Sequence, residues 1–158
     1  MPEYRRHLPH LLPDAAPVFL TWRLHGSVPS CKGENRQCSG PRWLMDTRVA
    51  PLVAEAIMAG EAERNFYSLH AWVIMPNHVH LLITPKIPLA KITRWIKGST
   101  ARRANLILGF TGQPFWRDES RDRWMRNEAE CRETARYIEE NPARAGLVNW
   151  KWSSAVKT

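Results

Sequence analysis

Two histidines separated by one apolar residue, His78-Val79-His80, open a run that continues Leu81-Leu82-Ile83. In an extended strand, residues i and i+2 point to the same face. The two imidazoles then project side by side, about 7 Å apart at the backbone by strand rise, a geometry that can grip one divalent metal. The alternative is a histidine-rich edge strand with no ligand. Met75-Pro76-Asn77 stands immediately before the pair and reads as a tight turn, because Pro and Asn favour turn conformations. Leu69 to Ile74 is a further strand-like run, so the expectation is a hairpin with the histidines just past the bend, accessible at the turn exit. Further along, Tyr137 and Asn141 are i and i+4 and share one helical face. A phenol nucleophile and an oxygen ligand one turn apart suit metal-assisted phosphoryl transfer. The alternative is an amphipathic core tyrosine and a helix-terminal residue before proline.

The elements that must carry these groups can be traced along the chain. Val18 to Leu24 reads as a first strand, rich in β-branched and aromatic residues, and residues 25–41 as a loop. Asp46 can cap a helix running to about Arg64, with Val49, Leu52, Val53, Ala56 and Ile57 on one face. Phe66 to Met75 and His78 to Thr84 form the hairpin. Leu89 to Leu108 is a second helix, with Ile92, Trp95, Ile96 and Ala104 inward and Lys91, Arg94, Lys97, Arg102 and Arg103 largely outward. A short fourth strand is expected near Asp122 to Arg126. A third helix, Glu128 to Asn141, should end at Asn141-Pro142 and Gly146. The order βαββαβ plus a helix is the split βαβ, ferredoxin-like plan of the α+β class. It has an antiparallel sheet with helices on one face, followed by a C-terminal helix carrying the tyrosine. Residues 1–16 read as a lead-in and 17–158 as one domain.

A net charge of +8 over 158 residues points to a polyanion, most often nucleic acid. A membrane surface is the second possibility, but no strongly amphipathic basic helix supports it. No apolar stretch approaches the roughly 18 residues of a membrane span, and Met1 to His7 leads into no long apolar run, so the expectation is a cytoplasmic, nucleoid-associated protein without a secretory signal. Cys31, Cys38 and Cys131 are an odd number without zinc-ribbon spacing. Cys31 and Cys38 could form a metal or redox site, or be free thiols in a reducing compartment. Several of the eight tryptophans sit among arginines, as in Phe115 to Trp124. Aromatic rings beside guanidinium groups suit unstacked bases and phosphates; an ordinary loop with snorkelling arginines is the alternative.

His78-Val-His80 behind Met75-Pro-Asn77, with Tyr137-Ile-Glu-Glu-Asn-Pro-Ala-Arg-Ala-Gly-Leu-Val148 downstream, resembles the IS200-like single-tyrosine transposases, and most closely their REP-associated branch of the HUH endonucleases. The resemblance runs from about Val18 to Ser154 and takes in Ile96-Lys-Gly-Ser-Thr-Ala101, Phe115-Trp116, Asp118-Glu-Ser120 and Trp150-Lys-Trp-Ser-Ser154. It implies His78 and His80 as metal ligands with Asn141 completing the site, Mg²⁺ or Mn²⁺ as cofactor, and Tyr137 as the nucleophile. It implies cleavage and rejoining of single-stranded DNA through a 5′-phosphotyrosine, on hairpins like repetitive extragenic palindromes. Arg94, Lys97, Arg102, Arg103, Arg117 and Arg144 are candidate phosphate contacts, and Trp116 a candidate base-stacking ring. Arg121 stands where an aromatic is expected, and Ala143 where valine is common, which bears on DNA sequence preference. Two other readings stay open: a silent palindrome-binding repressor or architectural protein, and an RNA-binding domain. The protein is expected to act as a monomer or a homodimer, the strand edges being available for pairing.

Overall fold

The computed structural model describes residues 16–27 and 40–155. The lead-in, Cys31 and Cys38 lie outside the described residues. Four strands and three helices follow in the order expected: β1 (Val18–Leu24), α1 (Ala50–Ala62), β2 (Tyr67–Ile74), β3 (His78–Pro85), α2 (Leu89–Leu108), β4 (Trp116–Trp124) and α3 (Glu128–Arg144). The strands form one sheet in the order β2-β3-β1-β4, and every pairing is antiparallel. This is the ferredoxin-like arrangement, with the histidine strand β3 at the centre of the sheet.

Alternation along β1 separates the two faces. Val18, Leu20, Trp22 and Leu24 are fully buried, whereas Phe19, Thr21 and Arg23 between them are half-buried. The first set joins Val79, Leu81 and Ile83 of β3, Val53 and Ile57 of α1, and Ile92 and Ile96 of α2 in the larger core. Burying each such aliphatic side chain stabilises by roughly 1.5–3 kcal/mol. Tyr67 fits between α1 and β2 because Gly60 faces its ring without a side chain, and the Tyr67 hydroxyl donates to the Ile57 carbonyl. The opposite sheet face is covered by α3. There Ala71, Val73, Met75 and Leu82 pack against Met125, Cys131, Ala135 and Ile138. Successive β3 residues therefore face two different cores, which is why the strand reads as a nearly continuous apolar run after the histidines.

Three element boundaries depart from expectation. Asp46 does not cap α1, whose N-cap is Val49 with Pro51 in the first turn. Asp46 instead closes a short 3-10 turn, Trp43–Met45, and its carboxylate accepts from the Arg48 backbone N–H and guanidinium. Local Asx-type bonding competes here with helix capping. Strand β4 begins at Trp116, six positions before Asp122 where it was expected to start. Its run Arg117 to Arg123 has almost no strand propensity, but charge suits an exposed edge strand that must resist pairing with other chains. Helix α3 passes through Pro142 and ends at Arg144. Gly146, at φ 76°, supplies the left-handed residue that ends it, while Leu147 N–H donates to the Pro142 carbonyl.

The chain after α3 returns to the outer edge of β2. Ile74 N–H donates to the Trp152 carbonyl and Ser154 N–H to the Trp72 carbonyl, each at 2.9 Å. The Trp150 indole N–H donates to the Ile74 carbonyl at 2.7 Å. Ser154 Oγ also bonds Glu139 Oε1 of α3 at 3.1 Å. This strap occupies the β2 edge beside Trp72 to Ile74, an edge that the hairpin alone would have left open for a second copy.

Candidate active site

The Met75-Pro76-Asn77 bend works as expected: Met75 N–H donates back to the His78 carbonyl at 2.8 Å, and the Asn77 carbonyl accepts from Leu24 N–H at 3.0 Å. From this fixed start, His78 and His80 project from the same face of β3, with ring centroids 4.7 Å apart. Accessibility differs from expectation. His80 is 6% exposed and His78 half-buried, because β3 is a central strand and α3 lies across that face. His80 lines a groove rather than standing on an exposed turn exit.

Each imidazole is held by a hydrogen bond on Nδ1. Asn77 Oδ1 lies 2.7 Å from His78 Nδ1, and Thr21 Oγ1 lies 2.7 Å from His80 Nδ1. Thr21 reaches its partner because β1 pairs with β3 in the register Thr21↔His80 and Arg23↔His78. With Nδ1–H donating, each ring keeps its lone pair on Nε2. Both histidines are biased toward neutrality. Burial, then the His80 ring and Arg23, push the His78 pKa down to about 2. Burial and Arg23 push that of His80 down to about 4. Neutral rings oriented by outer hydrogen bonds are the state in which imidazole ligates a metal.

Helix α3 brings Tyr137 to the same place. Its ring centroid lies 5.9 Å from that of His80, and Tyr137 is 42% exposed, neither a core tyrosine nor remote from the pair. Phe19 of β1 fills the angle between them, 5.2 Å from His80 and 6.2 Å from Tyr137. The Arg144 guanidinium lies 5.8 Å from the Tyr137 ring and pairs with Glu140 at 3.0 Å. Asn141 is half-buried one turn beyond Tyr137 on α3. Among the described residues no three His, Cys, Asp or Glu side chains come together, so a third protein ligand beside the two histidines would have to be of another type, such as this amide. Two neutral imidazoles side by side suit a divalent cation that keeps open positions for further oxygen ligands.

Other expected contacts fall elsewhere. Trp116 is 5% exposed. It packs edge-on against Trp22 and Phe115 and donates from its indole to Thr100 Oγ1 at 2.9 Å. It is a core residue, and its ring has no free face for a base. The strand alternation that buries it could not be seen while β4 was placed farther on. Arg94, Arg102 and Arg103 are exposed on α2, across the sheet from the histidines, with Arg103 3.6 Å from Glu55. Lys97 turns toward β4, bonding the Asp118 carbonyl at 3.0 Å. Arg117 is half-buried at the start of β4.

Sequence reasoning missed Thr21, Asn77 and Phe19 around the histidines, and a set of arginines beside them. A groove of about 1070 Å³ runs from His80 and Tyr137 along β4 and the first turns of α3, lined by Arg23, Arg121, Arg123 and Arg126 among others. The signal was present in β1, where Phe19, Thr21 and Arg23 alternate with the apolar set.

No curated protein matches the chain. Solved structures do. One is a REP-associated tyrosine transposase bound to a REP hairpin: 22% identity, 89% of this chain and 76% of that one covered, TM-score 0.62. Another, from Deinococcus radiodurans R1 and named as a transposase, shares 22% identity over 78% of this chain and 88% of its own, with a TM-score of 0.50. Both share the fold. The model of the IS200-like transposase family matches residues 44–141, a stretch that begins at the 3-10 turn, takes in both histidines and Tyr137, and closes on Asn141. The chain belongs to the IS200-like transposase family.

Proposed function

We propose that this protein cleaves and rejoins single-stranded DNA beside palindromic hairpins, using Tyr137 as nucleophile and His78, His80 and Asn141 as ligands of a Mg²⁺ or Mn²⁺ ion. The observation that carries the reading is the Tyr137 ring 5.9 Å from that of His80, with both histidines oriented by outer hydrogen bonds. The REP hairpin bound by a structural neighbour supports the choice of substrate.

The cation would offset charge on a non-bridging phosphate oxygen. The protein's own groups do the rest. Thr21 and Asn77 hold the imidazoles with Nε2 toward the ligand. Phe19 packs between His80 and Tyr137 and keeps the phenol at a set distance from the metal position. Tyr137 Oη loses its proton and bonds to phosphorus; the P–O3′ bond breaks, leaving a 5′-phosphotyrosine and a 3′-oxygen that takes up a proton. The Arg144 guanidinium faces the Tyr137 ring, where its charge would favour the negative charge that develops on the phenol during attack. Since the phosphotyrosine keeps the bond's energy, a second 3′-OH can displace Tyr137 and rejoin the strand. Arg94, Lys97, Arg102, Arg103 and Arg117 are proposed as phosphate contacts outside the cleavage site, for DNA that continues beyond it.

The test is incubation with a labelled single-stranded hairpin and Mn²⁺ or Mg²⁺, resolved on a denaturing gel. The expected result is a covalent protein–DNA band, lost in Tyr137→Phe and with EDTA. Shortened DNA without an adduct would move the nucleophile away from Tyr137. Salt-sensitive binding without any cleavage would leave a binding protein.

A further inference from the structure

We infer that Arg121 and Arg123 of β4 form a phosphate-binding track that carries a single polynucleotide strand along the β4–α3 groove to Tyr137. The inference rests on the strand-cleaving reading for its substrate class, and assigns the path the substrate takes.

The register of β1 with β4 pairs Phe19 with Arg123 and Thr21 with Arg121. Cross-strand partners share a face, so both arginines stand on the side that carries His80, each beside a residue that touches His80. Two residues apart on one strand, they repeat at about 7 Å, which suits successive phosphates of a sugar–phosphate chain. Both are exposed, and both line the groove that Tyr137 and His80 also line. Arg123 is partly set in place: its guanidinium lies 5.7 Å from the Phe19 ring, and Nη2 is 3.4 Å from Thr134 Oγ1. Neither arginine makes an ion pair among the described residues. Arg126, by contrast, is taken up by Glu130, at 3.5 Å from Nε and 3.0 Å from the backbone N–H.

The acidic groups of the groove, Asp122, Glu130 and Glu133, decide which wall an anion prefers. Glu130 is the ion-pair partner of Arg126 and also feels the charge of Arg123. Glu133 lies one turn before Tyr137 on α3 and repels phosphate from the helix wall. Asp122 pairs with Leu20, which faces the larger core, so it alternates away from the His80 side of β4. A phosphate chain therefore runs on the β4 side, with the guanidinium groups directed at its oxygens. Guanidinium forks suit phosphate oxygens better than a lysine ammonium does.

The test measures binding separately from cleavage. In a Tyr137→Phe background, a fluorescent hairpin with an unpaired flank is titrated by anisotropy across a salt series. The Arg121→Gln/Arg123→Gln double variant is compared with Arg64→Gln/Lys86→Gln, which removes the same charge outside the groove. Expected is an affinity loss of about tenfold or more for the first pair only. Its log–log salt slope should shrink by about 1.4, or about 0.7 for each single-strand phosphate that is no longer neutralised. Arg121→Lys/Arg123→Lys should restore the slope but only part of the affinity, a split that a folding defect would not produce. Equal losses in both glutamine pairs, or an unchanged slope in the first, would overturn the track. Adduct formation by the otherwise wild-type chain is scored in parallel. A reduced slope without adducts would keep the track and discard the cleavage chemistry; adducts with an unchanged slope would do the reverse.

Discussion

Replacing Thr21 by valine keeps the shape of the side chain and removes the one atom bonded to His80 Nδ1, 2.7 Å away. His80 is 6% exposed, so no ready supply of water replaces that hydroxyl. A buried donor left without an acceptor costs about 1–3 kcal/mol. The ring can escape the cost by moving its proton from Nδ1 to Nε2, where the lone pair is needed to hold a cation. If His80 Nε2 holds the proposed cation, stability and metal affinity are coupled through one tautomer. Loss of such an outer hydrogen bond typically lowers metal affinity or activity about 10–100-fold, or about 1.4–2.7 kcal/mol at 1.36 kcal/mol per tenfold. The assay is the Mn²⁺ dependence of adduct formation at saturating DNA. Thr21→Val should shift the half-saturating concentration upward by that factor, with DNA affinity measured without metal unchanged. Thr21→Ser, which keeps the hydroxyl, should stay close to wild type. An unshifted Mn²⁺ curve in Thr21→Val would show that this bond does not orient His80.

Acid should weaken the fold through the same histidines. Their folded pKa values lie below the ordinary 6.5, about 2 and about 4, so below pH 6.5 the unfolded chain binds protons that the folded chain refuses. Stability from this source is nearly complete above about pH 6.5 and declines as pH falls, through about 4 for His80 and further for His78; His80 alone gives a loss of about 1.4 kcal/mol near pH 5.5. The urea midpoint of the metal-free protein should fall over that range, and less in His80→Gln; equal acid sensitivity in the two proteins would contradict the assignment. Trp116→Ala should destabilise by about 3–5 kcal/mol as a buried aromatic truncation. Trp116→Phe should cost less and leave hairpin affinity unchanged, whereas a specific loss of affinity in a folded Trp116→Phe would return the ring to the DNA surface.

Much of this architecture could be read from periodicity. The alternation of Val18 to Leu24 and the helical spacing of Leu89 to Leu108 locate β1 and α2 at their observed bounds. His78, His80 and Tyr137 are visible because their types and spacing are rare together, and the fold then brings them within ring contact. What could not be read has specific causes. Strand β4 hides behind Arg117 to Arg123, whose charges mask a strand at an exposed edge, and with it went the facing of Arg121, Arg123 and Trp116. Thr21 is a common residue type whose role appears only once the β1–β3 register is known, and Asn77 reads as a turn residue until its side chain is seen on the adjacent His78. Pro142 ordinarily ends a helix; here the chain continues one short stretch to Gly146, whose left-handed conformation makes the stop.

The strap from Trp150 to Ser154 has a bearing on how copies of the protein relate to one another. Helix α3 is joined to β4 by three residues, Met125 to Asn127, and on its other side the chain is tied to β2 by Trp150, Trp152 and Ser154. The helix is tethered to its own sheet fore and aft, and Tyr137 stands against the histidines of its own chain. Lending that helix to a neighbour would mean peeling away the strap as well as unpacking the α3 face. On the proposed use of Tyr137 with the histidines of its own chain, adduct formation is expected to scale in proportion to protein concentration, with no threshold at which pairs begin to form. A copy lacking His80 and another lacking Tyr137 would not make one working enzyme between them.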